Sequence, residues 1–138
     1  MVNAKAETTE LARARWVGAT QTVTKPWGHE LIFANVPSGF TGKELHVRGG
    51  QSLSMQYHEH KEEVLAVRSG RIQLEIGPSA EKLDRIELLP GDTVHIRPGT
   101  VHRTTALEDS VLLEASTYNP DDVVRLDDLY GREGTSAP

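Results

Sequence analysis

The sequence predicts an all-β domain, a barrel or jelly roll of short strands, on three observations. From Lys43 to Thr117 short apolar runs follow one another with Gly or Pro between them. Several runs alternate: Ile72, Leu74 and Ile76 face one way, while Arg71, Gln73 and Glu75 face the other. No amphipathic helical stretch lies between the runs, which excludes a βαβ architecture.

Taken in order, residues 1–20 are polar and hold one weak helical stretch around Leu11 to Trp16, expected as an arm that frays or docks on the body. Lys25-Pro26-Trp27-Gly28 breaks any helix there, and Trp27 is expected to pack over one end of the barrel. The predicted strands are Lys43–Arg48, Ser52–His58, Glu63–Arg68, Arg71–Ile76, Arg85–Leu89, Thr93–Arg97, Val101–Thr105 and Ser110–Thr117. Gly49-Gly50, Ser69-Gly70, Gly77-Pro78, Pro90-Gly91 and Pro98-Gly99 are the turns that join them. Leu126 and Tyr130 are expected to pin the C-terminal segment to the body. The barrel thus occupies residues 21–130, and residues 131–138 are expected to be a disordered tail.

Composition narrows the function classes. The 138 residues hold 37% apolar and 25% charged side chains, enough for one packed core and too few for two ordinary domains. The net charge of −5 argues against nucleic-acid binding. Cysteine is absent, which removes disulfides, thiolate metal sites and cysteine nucleophiles. The N-terminus carries both charge signs and no apolar signal core, and no run is long enough to span a membrane, so a cytoplasmic protein is expected. No phosphate-cradling glycine loop and no serine nucleophile elbow occurs.

The six histidines are placed unevenly. His58 and His60 sit in Gln56-Tyr57-His58-Glu59-His60-Lys61-Glu62-Glu63, and His102 follows the Pro98-Gly99 turn. Residues two apart on a strand share a face, so Gln56 and His58 point together. If that face is the barrel interior, a carboxylate from the next strand and an imidazole from a distant one can complete a site, whose ligand types suit Zn, Mn, Fe, Co or Ni. Standing alone, each of these histidines reads equally well as a solvated or structural residue.

Spacing adds to this. Gln56-x-His58-x4-Glu63-x6-Gly70, followed by Gly91-Asp92-Thr93-Val94-His95-Ile96-Arg97-Pro98-Gly99-Thr100-Val101-His102, resembles the two motifs of the cupin superfamily. The alternative register, with His58 and His60 as the ligand pair, needs an acid where Val64 and Leu65 stand. Four blocks, Lys25 to Glu30, Leu53 to Glu63, Pro98 to Arg103 and Asp121 to Arg132, further resemble the cupin domain of type II phosphomannose isomerases. The resemblance implies a single-domain jelly roll with one divalent metal held by Gln56, His58, Glu63 and His102, with His60 as the alternative to Gln56. It also implies a homodimer and a small-molecule substrate, while charge and the lack of a long apolar run lead to the expectation of neither nucleic acid nor membrane as partner. Departures occur: Lys61 stands where the family usually has Arg, Val64 and Leu65 replace a His-Trp pair, and Ala106 replaces an Asn.

The implied activity is aldose–ketose isomerisation of a sugar or sugar phosphate. Lys61 and Arg103, flanking the ligands, are the candidates to anchor an anionic group. His60 is the candidate proton carrier, with Glu62 as its alternative. His46 and His95 stand within strands and are read as structural or as reaching the pocket mouth. The competing readings are a metal-dependent oxygenase or a lyase or cyclase acting on a small metabolite, and a sugar-binding cupin without catalysis. The low aromatic content, 5%, disfavours a flat polyphenol as substrate.

Overall fold

The computed structural model of the chain describes residues 6–7 and 16–135. Among them the elements are β1 (Ala6–Glu7), β2 (Trp16–Val17), β3 (Gln21–Lys25), β4 (Gly28–Val36), β5 (Phe40–Val47), β6 (Met55–Tyr57), β7 (Glu63–Ser69), β8 (Ile72–Ser79), β9 (Lys82–Leu88), β10 (Thr93–Ile96), β11 (Val101–Ala106), β12 (Ser110–Thr117) and β13 (Val124–Asp127), and none is helical. A six-stranded sheet, β10-β7-β12-β5-β4-β3, faces a five-stranded sheet, β13-β6-β11-β8-β9. Neighbours in both sheets run antiparallel, which makes the chain the jelly roll that alternation and turn chemistry predict. No helix of the described residues is long and apolar enough to cross a membrane.

Between the sheets Trp27, Leu45, Val47, Leu65, Val67, Ile72, Leu74, Leu88, Ile96, Ala106 and Leu112 form one core. The inner face of the six-stranded sheet changes chemistry along its strands. Inward residues run Val47-Leu45-Lys43 on β5, Leu112-Glu114-Ser116 on β12 and Val67-Leu65-Glu63 on β7, with Glu30 on β4 beside them. The register pairs Leu112 with Leu45 and Val67, and Glu114 with Lys43 and Leu65. The apolar residues therefore fill one end of the barrel, and the ionisable ones meet at the other.

Three sequence expectations need correction. The weak helix around Leu11 to Trp16 fails at its one described residue, because Trp16 lies in β2, paired with β1; the rest of it lies outside the described residues. β4 is a nine-residue strand that alternation misses, because a bulge between Ile32 and Ala34 interrupts the two-residue period and leaves Leu31, Ile32 and Phe33 in a row. The tail also does not begin at Gly131. Arg132 is buried, donating to Asp128 Oδ2 from Nε (2.8 Å) and to Oδ1 from NH2 (3.0 Å), and residues through Thr135 hydrogen-bond back to the body. Charge pairing, invisible to a composition-based reading, orders this segment.

Candidate metal centre

His58, just past β6, Glu63, the first residue of β7, and His102, on β11, converge at the ionisable end of the barrel. All three are buried, and their ligand atoms lie within 4.8 Å of one another. β6 and β11 pair so that Gln56 and His102 are Cα partners, and Gly99 N donates to His58 O at 2.7 Å, which ties the two ligand-bearing turns together. Each imidazole is oriented from behind. His58 Nδ1 donates to the Asp122 carbonyl at 2.6 Å and His102 Nδ1 to the Thr100 carbonyl at 2.9 Å, leaving both Nε2 lone pairs for the centre.

Glu63 Oε2 is 3.0 Å from His58 Nε2 and 3.3 Å from Lys61 Nζ, yet neither contact has hydrogen-bond geometry. A buried carboxylate oxygen without a hydrogen bond, facing two inward imidazole nitrogens, suits a divalent cation of intermediate hardness. The residues therefore fit a metal. Gln56 is close, with Nε2 3.5 Å from His58 Nε2, while its Oε1 accepts from Ser54 Oγ at 2.6 Å. Ligation by Gln56 through oxygen requires a half-turn of this amide.

Charges stabilise the ligand set in its binding form. Burial opposes ionisation of Glu63, but His58, Lys61 and His102 outweigh it and hold the carboxyl well below its usual range. Burial lowers the pKa of His102 more than Glu63 raises it, which favours the neutral, ligand-competent form of the ring. Burial would also lower Lys61, but Glu114 and Glu63 together hold it above its ordinary value. A chain of contacts runs outward from the centre: Lys61–Glu114 at 3.1 Å, Glu114–Lys43 at 3.9 Å and Lys43–Glu30 at 3.2 Å. The cavity over these groups has a volume of about 120 Å³ and opens to solvent.

Residues 43–115, which span both proposed ligand turns, match the family model described as a cupin domain. The chain belongs to the cupin family. Among curated relatives, the cupin is 31% identical over 118 residues to the xanthan biosynthesis protein XanB of Xanthomonas campestris pv. campestris (strain B100), covering 80% of this chain and 23% of that one. It is 29% identical over 120 residues to the mannose-1-phosphate guanylyltransferase ManC of Salmonella typhimurium, covering 80% and 23%. The chain thus spans under a quarter of the length of either relative. Among solved structures, KdgF from Halomonas sp. superposes with a TM-score of 0.59 at 22% identity, over 74% of this chain and 87% of that one, a likeness of fold alone.

The cupin brings Gln56, His58, Lys61, Glu63 and His102 to the cavity wall, but neither His60 nor Arg103. His60 is exposed at the turn, where its backbone N–H donates to Asp122 Oδ2. Arg103 points to the outside of β11, because its neighbours His102 and Thr104 take the inward positions; there Nε donates to Glu75 Oε1 at 3.0 Å. Glu62 pairs with His95 on the exterior, and His46 stacks on His29 with ring centroids 4.5 Å apart on the outer face, so none of these reaches the pocket mouth. Lys25, Glu30, Lys43, Glu114, Arg125 and Arg132 also line the cavity; four of them lie in the blocks that carry the family resemblance, but none was expected at the site. One signal was present for two of them: Lys43 and Glu114 are charges on the apolar-facing positions of alternating strands.

Proposed function

We propose that this cupin is a divalent-metal-dependent aldose–ketose isomerase acting on a hexose or hexose phosphate. The observation that carries the reading is the buried His58, Glu63 and His102 cluster with a further carboxylate, Glu114, one contact away across Lys61. The resemblance to type II phosphomannose isomerases supports it, as does the similarity to a relative named for mannose 1-phosphate.

His58, Glu63 and His102 hold the ion in this reading, which when bound supplies Lewis-acid polarisation of the sugar carbonyl and its neighbouring hydroxyl. Lys61 holds the Glu63 carboxylate against the centre. Glu114 acts as the base: it takes the proton from the carbon beside the carbonyl and returns it to the former carbonyl carbon, while a hydroxyl proton moves the opposite way. Trp27, Leu45, Leu53 and Leu65 form the apolar part of the wall and limit water around the reacting carbons. The homodimer implied by the family resemblance belongs to the same reading, and sedimentation velocity checks it.

The test is deuterium exchange followed by NMR. Protein loaded in turn with Zn, Mn, Fe, Co or Ni is given mannose 6-phosphate or fructose 6-phosphate in heavy water. Metal-dependent label at the carbon beside the carbonyl is expected, abolished by His58→Ala. Glu114→Gln should lose exchange by about 10²-fold or more while retaining the ion. No exchange from folded, metal-loaded protein overturns the isomerase reading.

A further inference from the structure

The cations lining the cavity fall into two groups. Lys61, Lys43 and Arg132 each have carboxylate partners, at 3.1 Å to Glu114, 3.2 Å to Glu30 and 2.8 Å to Asp128 respectively. Lys25 and Arg125 have no carboxylate within ion-pair distance among the described residues. Arg125 is 8% exposed, and its NH1 donates to the Thr135 carbonyl at 2.9 Å, while its Nε is buried without a hydrogen-bond partner. A buried donor left unanswered is destabilising, and more so on a charged group. The nearby acids are engaged elsewhere, Glu30 by Lys43 and Asp128 by Arg132, and neither lies within ion-pair distance of Arg125.

The two groups are also mutually unfavourable. Burial lowers the pKa of Lys25, Glu30 partly restores it, and Lys43, Arg125 and Arg132 lower it further. Burial is likewise the leading influence on Arg125, with repulsion from Arg132 next. An anion bound between them relieves both the repulsion and the idle N–H. Arginine offers parallel N–H groups to two oxygens of one anion, and lysine adds a compact charge.

We propose that Lys25 and Arg125 form an anion subsite of this cavity, which holds the phosphoryl or carboxylate group of a substrate whose other end meets His58, Glu63 and His102. The inference rests on the isomerase reading only for what happens at that other end. It moves the anion anchor away from Lys61, already engaged by two carboxylates, and from Arg103, which lies outside the cavity.

The experiment is calorimetric titration of the full metal-free chain with inorganic phosphate, glycerol 3-phosphate and glycerate at one fixed low ionic strength. Saturable binding of at least one is expected, weakened about tenfold or more by Lys25→Met and by Arg125→Gln, and unaltered by Arg103→Gln. Tighter binding of glycerol 3-phosphate identifies a phosphoryl group, and tighter binding of glycerate a carboxylate. If Arg125→Gln does not fold, Arg125→Lys and the less buried Lys25→Met carry the comparison. No saturable binding of any probe, or equal affinity in the folded variants and the parent protein, overturns the proposal. Neither metal nor turnover enters this measurement. A failed deuterium exchange therefore leaves the subsite standing, and failed anion binding leaves isomerisation of unphosphorylated hexoses to be measured.

Discussion

Asp122 acts on the candidate centre through two different groups. Its carbonyl orients His58, and its carboxylate accepts the backbone N–H groups of Glu59, His60 and Lys61 at 2.9, 2.7 and 2.7 Å, closing the turn that carries the ligands. Burial raises its pKa, but the three N–H donors outweigh this and depress it below 3.8. Because the folded value is the lower one, its contribution to stability is present above the unfolded value and disappears as pH falls through the folded one. Asp122→Asn is expected to cost about 1–2 kcal/mol at neutral pH and to weaken divalent-ion affinity about tenfold. Urea melts of parent and variant should converge as pH drops below 3.8. A constant gap between them down to acid unfolding would show that the carboxylate does not clamp the turn.

At the scale of the strand, what matters is how β4 enters the sheet. Gly28 begins β4 at φ 153°, and a Cβ there would lie 1.9 Å from the His46 carbonyl oxygen on β5. Both atoms belong to paired backbones, so neither gives way without moving a strand. Gly28→Ala is therefore expected to cost about 2–4 kcal/mol, seen as a lower urea midpoint. Gly39→Ala, at a turn with nothing within 4 Å of the new methyl, should change the midpoint little. Equal midpoints for the two variants would refute this account of the β4–β5 approach. The same strand carries Glu30 inward, so its misplacement should also disturb the ion pair with Lys43.

Over the whole molecule, a metal at the candidate centre would join distant parts of the chain. Its proposed ligands come from just past β6, the first residue of β7 and the second residue of β11, elements in two different sheets. An ion that binds only the folded state raises its stability by about 1.4 kcal/mol for each tenfold excess over Kd. Zinc or cobalt should thus raise the melting temperature, chelator should reverse the rise, and His102→Ala should abolish it. A melting temperature indifferent to every divalent ion offered would remove the metal from this account.

Local chemistry determined much of the architecture. Period-two alternation and Gly/Pro turns depend on neighbours a few residues away, so eight strands of the two sheets were legible in the sequence. Alternation broke at the β4 bulge, and β3 and β13 carry too few apolar residues to announce themselves. The ligand candidates Gln56, His58 and Glu63 were legible because a strand and its turn hold them at short spacing. Which way Arg103 and His60 face was not. That depends on the pairing of β11 with β8 and on the Asp122 clamp, both long-range. The charged wall of Lys25, Glu30, Lys43, Glu114, Arg125 and Arg132 was likewise a product of tertiary structure. Its members come from five different strands and the C-terminal segment, and only closure of the barrel places unlike charges from so many parts of the chain within reach of one another.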